Sequence, residues 1–236
     1  MNPISLRRVR AVAGKELRDY RRNRSLVAGM TIIPLVFLIT PLVQVFTVTP
    51  ADLQHGAWLV YMLGIPAVAP TVIAAHAIVG ERQQGTLEPV LTTPVRRDEL
   101  LLGKALAALV PSVAVSYLIF GLVVAVIAVF AEPQSAAAVL RGPAIAAQIF
   151  FTPLVAAWSI WIGIIISARA KDVRSAQQIA MPISLPSFAV ALLVAMGVIP
   201  ATLPVACLLA AILAGLNIAG WAMSVAAFDP ERLITR

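Results

Sequence analysis

The chain has 236 residues, of which 60% are hydrophobic and 12% charged, with a formal net charge of +7 and a mean hydropathy of +0.92. A soluble domain carries about 25% charged residues, so this composition excludes an ordinary water-soluble core and points to a bilayer as the solvent. The net charge reads as the Lys/Arg excess of one membrane face rather than as nucleic-acid binding, and the single cysteine, Cys207, excludes an internal disulfide.

Residues 4–24 predict an amphipathic helix. Leu6, Val9, Ala13, Leu17 and Tyr20 share one face, with Val12 beside them, and Arg7, Arg8, Arg10, Lys15, Arg18, Arg21 and Arg22 take most of the rest. Ser5 is the candidate N-cap. A basic helix of this kind next to a span suits the membrane interface, with its apolar face in the acyl boundary. The apolar run after Ser25 is too long for the core of a cleavable signal and lacks a small-residue cleavage site.

Charged residues then fence off the spans. Residues 25–51, 53–80, 105–131 and 142–168 carry no charge, and neither do 175–228, a stretch long enough for two spans and divided at Pro200 and Pro204. A spanning helix needs about 20 apolar residues. The expected fold is therefore an all-α integral membrane protein. A connecting helix over 1–24 precedes a six-span domain over 25–236, with spans at about 26–48, 57–79, 105–130, 144–167, 179–199 and 203–228. Seventeen of the eighteen Lys and Arg residues fall in the N-terminal segment, the 80–104 loop, the 169–178 loop or the tail; Arg141 alone falls on the other side. Both termini are thus expected in the cytoplasm.

No predicted span contains Asp, Glu, Lys or Arg, which argues against a proton- or ion-coupled carrier. His76 is expected to make an interfacial hydrogen bond, and Gln44, Gln148 and Asn217 to bond across helices or to a substrate. Proline pairs in spans one (Pro34, Pro41), two (Pro66, Pro70) and five (Pro182, Pro186) suggest bent helices around a cavity. Ala211, Gly215 and Ala219 form a small-residue ridge on span six. Walker A, G-x-S-x-G and H-E-x-x-H patterns are missing, so no enzyme chemistry is expected of this chain and any nucleotide chemistry must come from a partner.

The 80–104 loop is the longest polar insert. Span two is expected to end near Gly80, leaving Glu81 and Arg82 just outside. Gly85 can break the helix. Thr86 can cap a short helix with Glu88 in its first turn and Leu87, Val90 and Leu91 on one face. Thr93 and Pro94 repeat the cap signal before a second helical piece runs into span three. A short amphipathic helix held out from two spans can seat in a groove on a soluble partner.

The run from Gly80-Glu81-Arg82 through Gly85-Thr86-Leu87-Glu88 and Leu91-Thr92-Thr93-Pro94-Val95 to Glu99-Leu100 and Gly103-Lys104 resembles the cytoplasmic loop of type-2 ATP-binding-cassette (ABC) permeases. The 167–178 loop, the basic N-terminal helix and the Phe228–Arg232 tail are also similar. The resemblance implies a permease that pairs with itself or a homologue in a prokaryotic cytoplasmic membrane and engages two copies of a cytoplasmic ABC ATPase. ATP and Mg2+ would sit on that partner, with no cofactor or metal on this chain. It implies a coupling helix over about 86–93, hinge charges at Glu81 and Arg82, a connecting helix that includes Arg10, Lys15, Glu16 and Arg18, and a pathway near Gln44, Pro66, Pro70, Pro182 and Pro186. Uncharged spans suit export of a hydrophobic or amphipathic, drug- or lipid-like substrate. A haem, cytochrome-maturation or cation permease, an ion-coupled carrier and a non-transporting assembly factor are the alternatives.

Overall fold

In the computed structural model, residues 4–54, 58–85 and 95–228 are described, and all regular structure among them is helical. The helices are α1 (Leu6–Arg22), α2 (Arg24–Thr47), α3 (Pro50–Leu53), α4 (Gly64–His76), α5 (Val79–Gln83), α6 (Arg97–Phe130), α7 (Pro133–Val139), α8 (Gly142–Arg169), α9 (Val173–Ala195) and α10 (Leu203–Ala227). A 3-10 segment, Trp58–Leu63, leads into α4. Five helical segments among the described residues are long and apolar enough to cross a bilayer, beginning at Trp58, Arg97, Gly142, Val173 and Leu203. In α2, the stretch Pro34–Thr47 is a shorter apolar helix by the same measure.

The segment Trp58–Gln83 is the pillar of the bundle. In its most apolar stretch 89% of residues are buried, against 6% in α10. Its composition explains why: α4 is Gly, Ala, Val, Ile, Pro and Thr up to His76, so neighbouring backbones come close. Lipid supplies no hydrophobic drive between helices, and close packing of small residues takes its place. Gly163 of α8 sits against Ala74, where any added Cβ would collide. Ser159, one turn earlier, donates to the Ala67 carbonyl at 2.8 Å. The 3-10 turn ends at Gly64, which lets the rings of Phe37 and Phe188 close over the backbone. Those two rings are 5.3 Å apart and each lies 5.5 Å from Tyr61, so α2, the segment Trp58–Gln83 and α9 meet in one aromatic cluster.

At one end, α3 and α7 pack on each other through buried Leu53, Ala138 and Val139, and Arg141 donates to the Gln54 carbonyl at 2.8 Å. A shallow recess of about 480 Å³ opens there between Pro50, Gln54, Gln134 and Arg141. Apart from Asp52, Glu132 and Arg141, the described charged residues gather at the other end. Gly197, at φ +76°, closes α9 before the proline turn into α10.

Several expectations are corrected here. The apolar face of α1 does not lie free for lipid: Val9 and Tyr20 are buried and Val12, Ala13 and Leu17 pack on the core between spans two, three and four. Span two does not end at Gly80. It breaks at Ala77–Ile78 and resumes as α5, which carries Glu81 and Arg82. Pro94 lies outside the described residues, and the second helical piece starts at Arg97 behind Arg96, not behind Thr93. On α10 the small-residue ridge Ala211, Gly215 and Ala219 lies on the exposed face of the single chain, and the close contact within the chain is Gly220 against Trp161. Pro34, Pro41, Pro70, Pro182 and Pro186 all lie inside continuous helices, as the expected proline bends allow, and the break in span two falls at none of its prolines.

Candidate functional site: the charged base of the bundle

Glu16 lies on the apolar stripe of α1, four residues from Tyr20, so docking that stripe carries a carboxylate into the core. Only 4% of Glu16 remains exposed. Burying an unpaired carboxylate costs several kcal/mol, so a cation must meet it. That cation is Lys104 of α6, whose side chain is 0% exposed and whose Nζ lies 3.0 Å from Glu16 Oε1. The same ammonium lies 2.8 Å from Glu81 Oε2, as a charge contact rather than an aligned hydrogen bond. Lys15 closes the figure, with Nζ 2.7 Å from Glu81 Oε1 and 3.3 Å from Glu16 Oε1. Two ammonium groups and two carboxylates thus neutralise one another where α1, α5 and α6 converge.

The geometry depends on Gly103. A Cβ there would stand 2.6 Å from Val12 Cβ and 3.1 Å from the Val9 carbonyl, so only glycine lets α1 lie flat on α6 and brings Glu16 to Lys104. Partly buried Lys15 would be pushed down by desolvation alone, but the hydrogen bond to Glu81 and the charges of Glu16 and Glu81 raise it above the ordinary lysine value. Tyr20 is pushed well above the usual phenol range, first by burial and then by the Glu16 and Glu81 charges, so it stays neutral.

A second carboxylate sets the start of α1. Glu99 accepts the Ser5 backbone N–H at 2.8 Å and the Arg96 backbone N–H at 3.2 Å, and Arg8 lies 3.3 Å away. One side chain therefore caps α6 and fastens the first turn of α1 to it. Ser5 is the N-cap residue by position, but its side chain makes no capping bond.

On the opposite flank of α5, Arg82 donates to the Ala170 carbonyl at the end of α8. The hydroxyl of Ser167 accepts the N–H groups of Ile78 and Val79 and donates to the Ala75 carbonyl. Glu81 and Arg82, adjacent in sequence, thus face different helices. Gly85 stands at φ +67°, a conformation that favours glycine, and turns the chain out of α5.

The structure brings Lys15, Glu16 and Glu81 together and sets Arg82 beside them. Arg10 and Arg18 are exposed, and Arg18 donates to the Gly14 carbonyl of its own helix. Thr86, Leu87, Glu88, Val90, Leu91 and Pro94 lie outside the described residues. Of the pathway candidates, Pro66 and Pro70 are buried within the subunit, Gln44 is half-buried, and Pro182 and Pro186 are exposed on α9. His76 bonds the Val72 carbonyl of its own helix at 2.9 Å, and Asn217 donates across to Leu154 on α8 at 3.0 Å. Lys104 and Ser167 were hidden from the sequence reading of charge. Glu16 on an apolar stripe was the signal for the first, and the four-residue spacing of Ser159, Gly163 and Ser167 for the second.

The polar loop between two apolar helices, the basic helix docked beneath them and the buried charge node at the junction belong to a chain that a known family model matches over nearly its whole length. The ABC-2 family transporter protein domain aligns with residues 10–235. The chain belongs to the ABC-2 transporter family. It is also similar to the "Probable ABC transporter permease protein NosY" of Pseudomonas aeruginosa, with 40% identity over 102 residues. That match covers 40% of this chain and 36% of the relative, so it spans little more than a third of that protein's length. Membership in the family agrees with the five described helices that are long and apolar enough to cross a bilayer, and makes the chain a multi-pass membrane protein. In this ABC-2 family member the charged base built by α1, α5 and α6 stands next to Gly85, just past the end of α5.

Proposed function

We propose that this permease is the membrane half of an ATP-driven exporter in a prokaryotic cytoplasmic membrane. It has six spans with both termini in the cytoplasm, α2 being the first span. It pairs with a second permease, the same or homologous, and seats two ATPase subunits. The substrate is hydrophobic or amphipathic, drug- or lipid-like, and moves outward.

The observation that carries this reading is the neutral node of Lys15, Glu16, Glu81 and Lys104. It ties the connecting helix to the feet of spans two and three, so a push on the loop beyond Gly85 reaches three helices at once. The buried cation does not favour an ion-coupled carrier, because Lys104 is clasped by two carboxylates at the charged end of the bundle. The pathway is expected between two subunits, where Gln44, Pro182 and Pro186 sit on α2 and α9, the helices joined by Phe37 and Phe188. Exposed Ile179, Met181, Ile183 and Leu185 on α9 supply the apolar surface such a path requires.

The test is co-purification of the permease from its native membrane. An ABC ATPase is expected to elute with it, and Leu87→Asp and Glu88→Arg are each expected to abolish that association with membrane insertion unchanged. Survival of both association and ATP-dependent efflux in the two variants rules out the docking role of the loop.

A further inference from the structure

Span two is broken at a place its sequence does not demand. Ala77, Ile78 and Val79 are neither proline nor glycine, yet α4 stops at His76 and Ile78 stands at φ −120° and ψ −54°, outside helical geometry. The break is satisfied from another helix. Ser167 Oγ of α8 accepts from Ile78 N at 3.1 Å and from Val79 N at 3.0 Å, and donates to Ala75 O at 2.8 Å. The hydroxyl uses its donor and two acceptor positions, and the residue is 0% exposed. Buried N–H groups cannot be left unpaired at this depth, so the break and the serine require each other.

Three residues further along α8, the Ala170 carbonyl accepts the Arg82 guanidinium. A cation at a helix C-terminus is favourable to the helix dipole as well. The short α5 is therefore fastened to α8 at Ser167 and at Ala170 and to α1 and α6 through Glu81, while its link to α4 is the non-helical Ile78 and the Ser167 hydroxyl shared with Ala75. Beyond Ala170 the chain enters α9 at Val173, with Asp172 as its cap. Whatever moves α5 must move the α8–α9 corner with it.

We propose that Ser167 is a positioning residue for coupling: its hydroxyl holds span two open at Ala77–Ile78, so that α5 and the loop beyond Gly85 are carried by the α8–α9 corner and not by a continuous helix from α4. The purpose of that arrangement rests on the ATPase-coupled reading above; the clamp itself rests only on the geometry. A force on the loop then reaches span five through the corner, and α1 and α6 through Glu81.

Cys207 is the chain's single cysteine and is exposed, so Cys207→Ala gives a background for labelling. Nitroxides at exposed Gln83 and Lys171 report on α5 against the α8–α9 corner, in nanodiscs, with and without the co-purifying ATPase trapped by ATP and vanadate. One narrow distance, unchanged by trapping, is expected in the parent protein. Ser167→Ala is expected to broaden that distribution, to raise amide exchange in peptide 76–84 by about fivefold, the loss of roughly one net hydrogen bond, and to cut ATPase activity of the assembled complex by a similar factor with association intact. Arg82→Gln cuts the second fastening without touching the packed interface and should broaden the same distance; Ser167→Thr, which keeps the hydroxyl, should restore exchange protection wherever it folds. Parent-like distances and exchange in both Ser167→Ala and Arg82→Gln overturn the clamp, and so does a parent distance that shifts by a helical turn on trapping. If no ATPase co-purifies, the coupling reading fails by itself, and the clamp is still decided by exchange and distance in the permease alone.

Discussion

Lys104 Nζ lies 2.8 Å from Glu81 Oε2, although one residue belongs to the first turns of α6 and the other to the far side of the break in span two. The pair closes the polar loop into a short circuit: the chain leaves the bundle after Glu81 and returns before Lys104 at the same point. Glu16 joins from α1 at 3.0 Å. The two helical ends that flank the loop are thus held together and are not independent of each other.

Removing Lys104 takes the fully buried cation away from Glu16 and Glu81, and the Lys15 that also pairs with them is half-exposed. Lys104→Met is expected to destabilise the fold by about 3–5 kcal/mol, the usual cost of breaking a buried pair from one side. Lys104→Met combined with Glu16→Leu restores charge balance and should recover most of that loss. Thermal melting in detergent, followed by size-exclusion chromatography, checks both variants. A single variant that melts with the parent protein would show that the node is not buried.

The approach of α1 to α6 is tested at Gly103. Gly103→Ala places a Cβ 2.6 Å from Val12 Cβ and Cγ1, and a β-branched side chain has little freedom to move aside. A destabilisation of about 1–3 kcal/mol is expected, typical of overpacking. Gly215→Ala is the control, because nothing lies within 4 Å of its Cβ position; it should be neutral or stabilising by up to about 1 kcal/mol. Equal melting temperatures for the two variants would contradict the packing described.

Gly163 and Ala74 form a matched pair across α8 and α4. Gly163→Ala should lower the melting temperature, and adding Ala74→Gly should return part of it, with a coupling of about 0.5–3 kcal/mol in a double-mutant cycle. Additive effects would mean that the two positions do not touch.

Two charged groups outside the spans set opposite pH dependences. The Ser175 backbone N–H, followed by its hydroxyl, holds the Asp172 carboxyl below the ordinary aspartate value. A depressed pKa gives stability that is present above the unfolded value and lost as pH falls through the folded one, so the start of α9 should loosen in acid, below about pH 4. Lys15 is raised; its contribution is fully present below the ordinary lysine value and fades as pH climbs through the raised one. Melting curves against pH should therefore be flat near neutrality, with Asp172→Asn removing part of the acid slope. An unchanged acid slope in that variant would discount the cap.

The helix limits were legible because charge is costly in lipid. Predicted spans at 144–167 and 203–228 correspond to α8, Gly142–Arg169, and α10, Leu203–Ala227. The charge-free gaps bound α2, α8 and α10 within a few residues. At the charged base the helices run past the gaps: α5 carries span two to Gln83, α6 begins at Arg97 instead of near 105, and α9 begins at Val173 instead of near 179. Glu81 and Lys104 are held in helix there by pairing with each other and with Lys15 and Glu16, which are remote in sequence.

The sequence by itself determined that this chain is a helical membrane protein with a basic amphipathic leader and one long polar loop. Those features follow from local composition and from the 3.6-residue period, and every residue contributes to them independently. Only the tertiary structure decided that the leader's apolar face covers protein, that Lys104 is buried between two carboxylates, and that Ser167 fills a break in another span. Each of these depends on the rotation and depth of one helix against another. Rotation and depth are set by where glycines such as Gly103 and Gly163 permit close approach, and no periodicity within a single helix records what stands opposite.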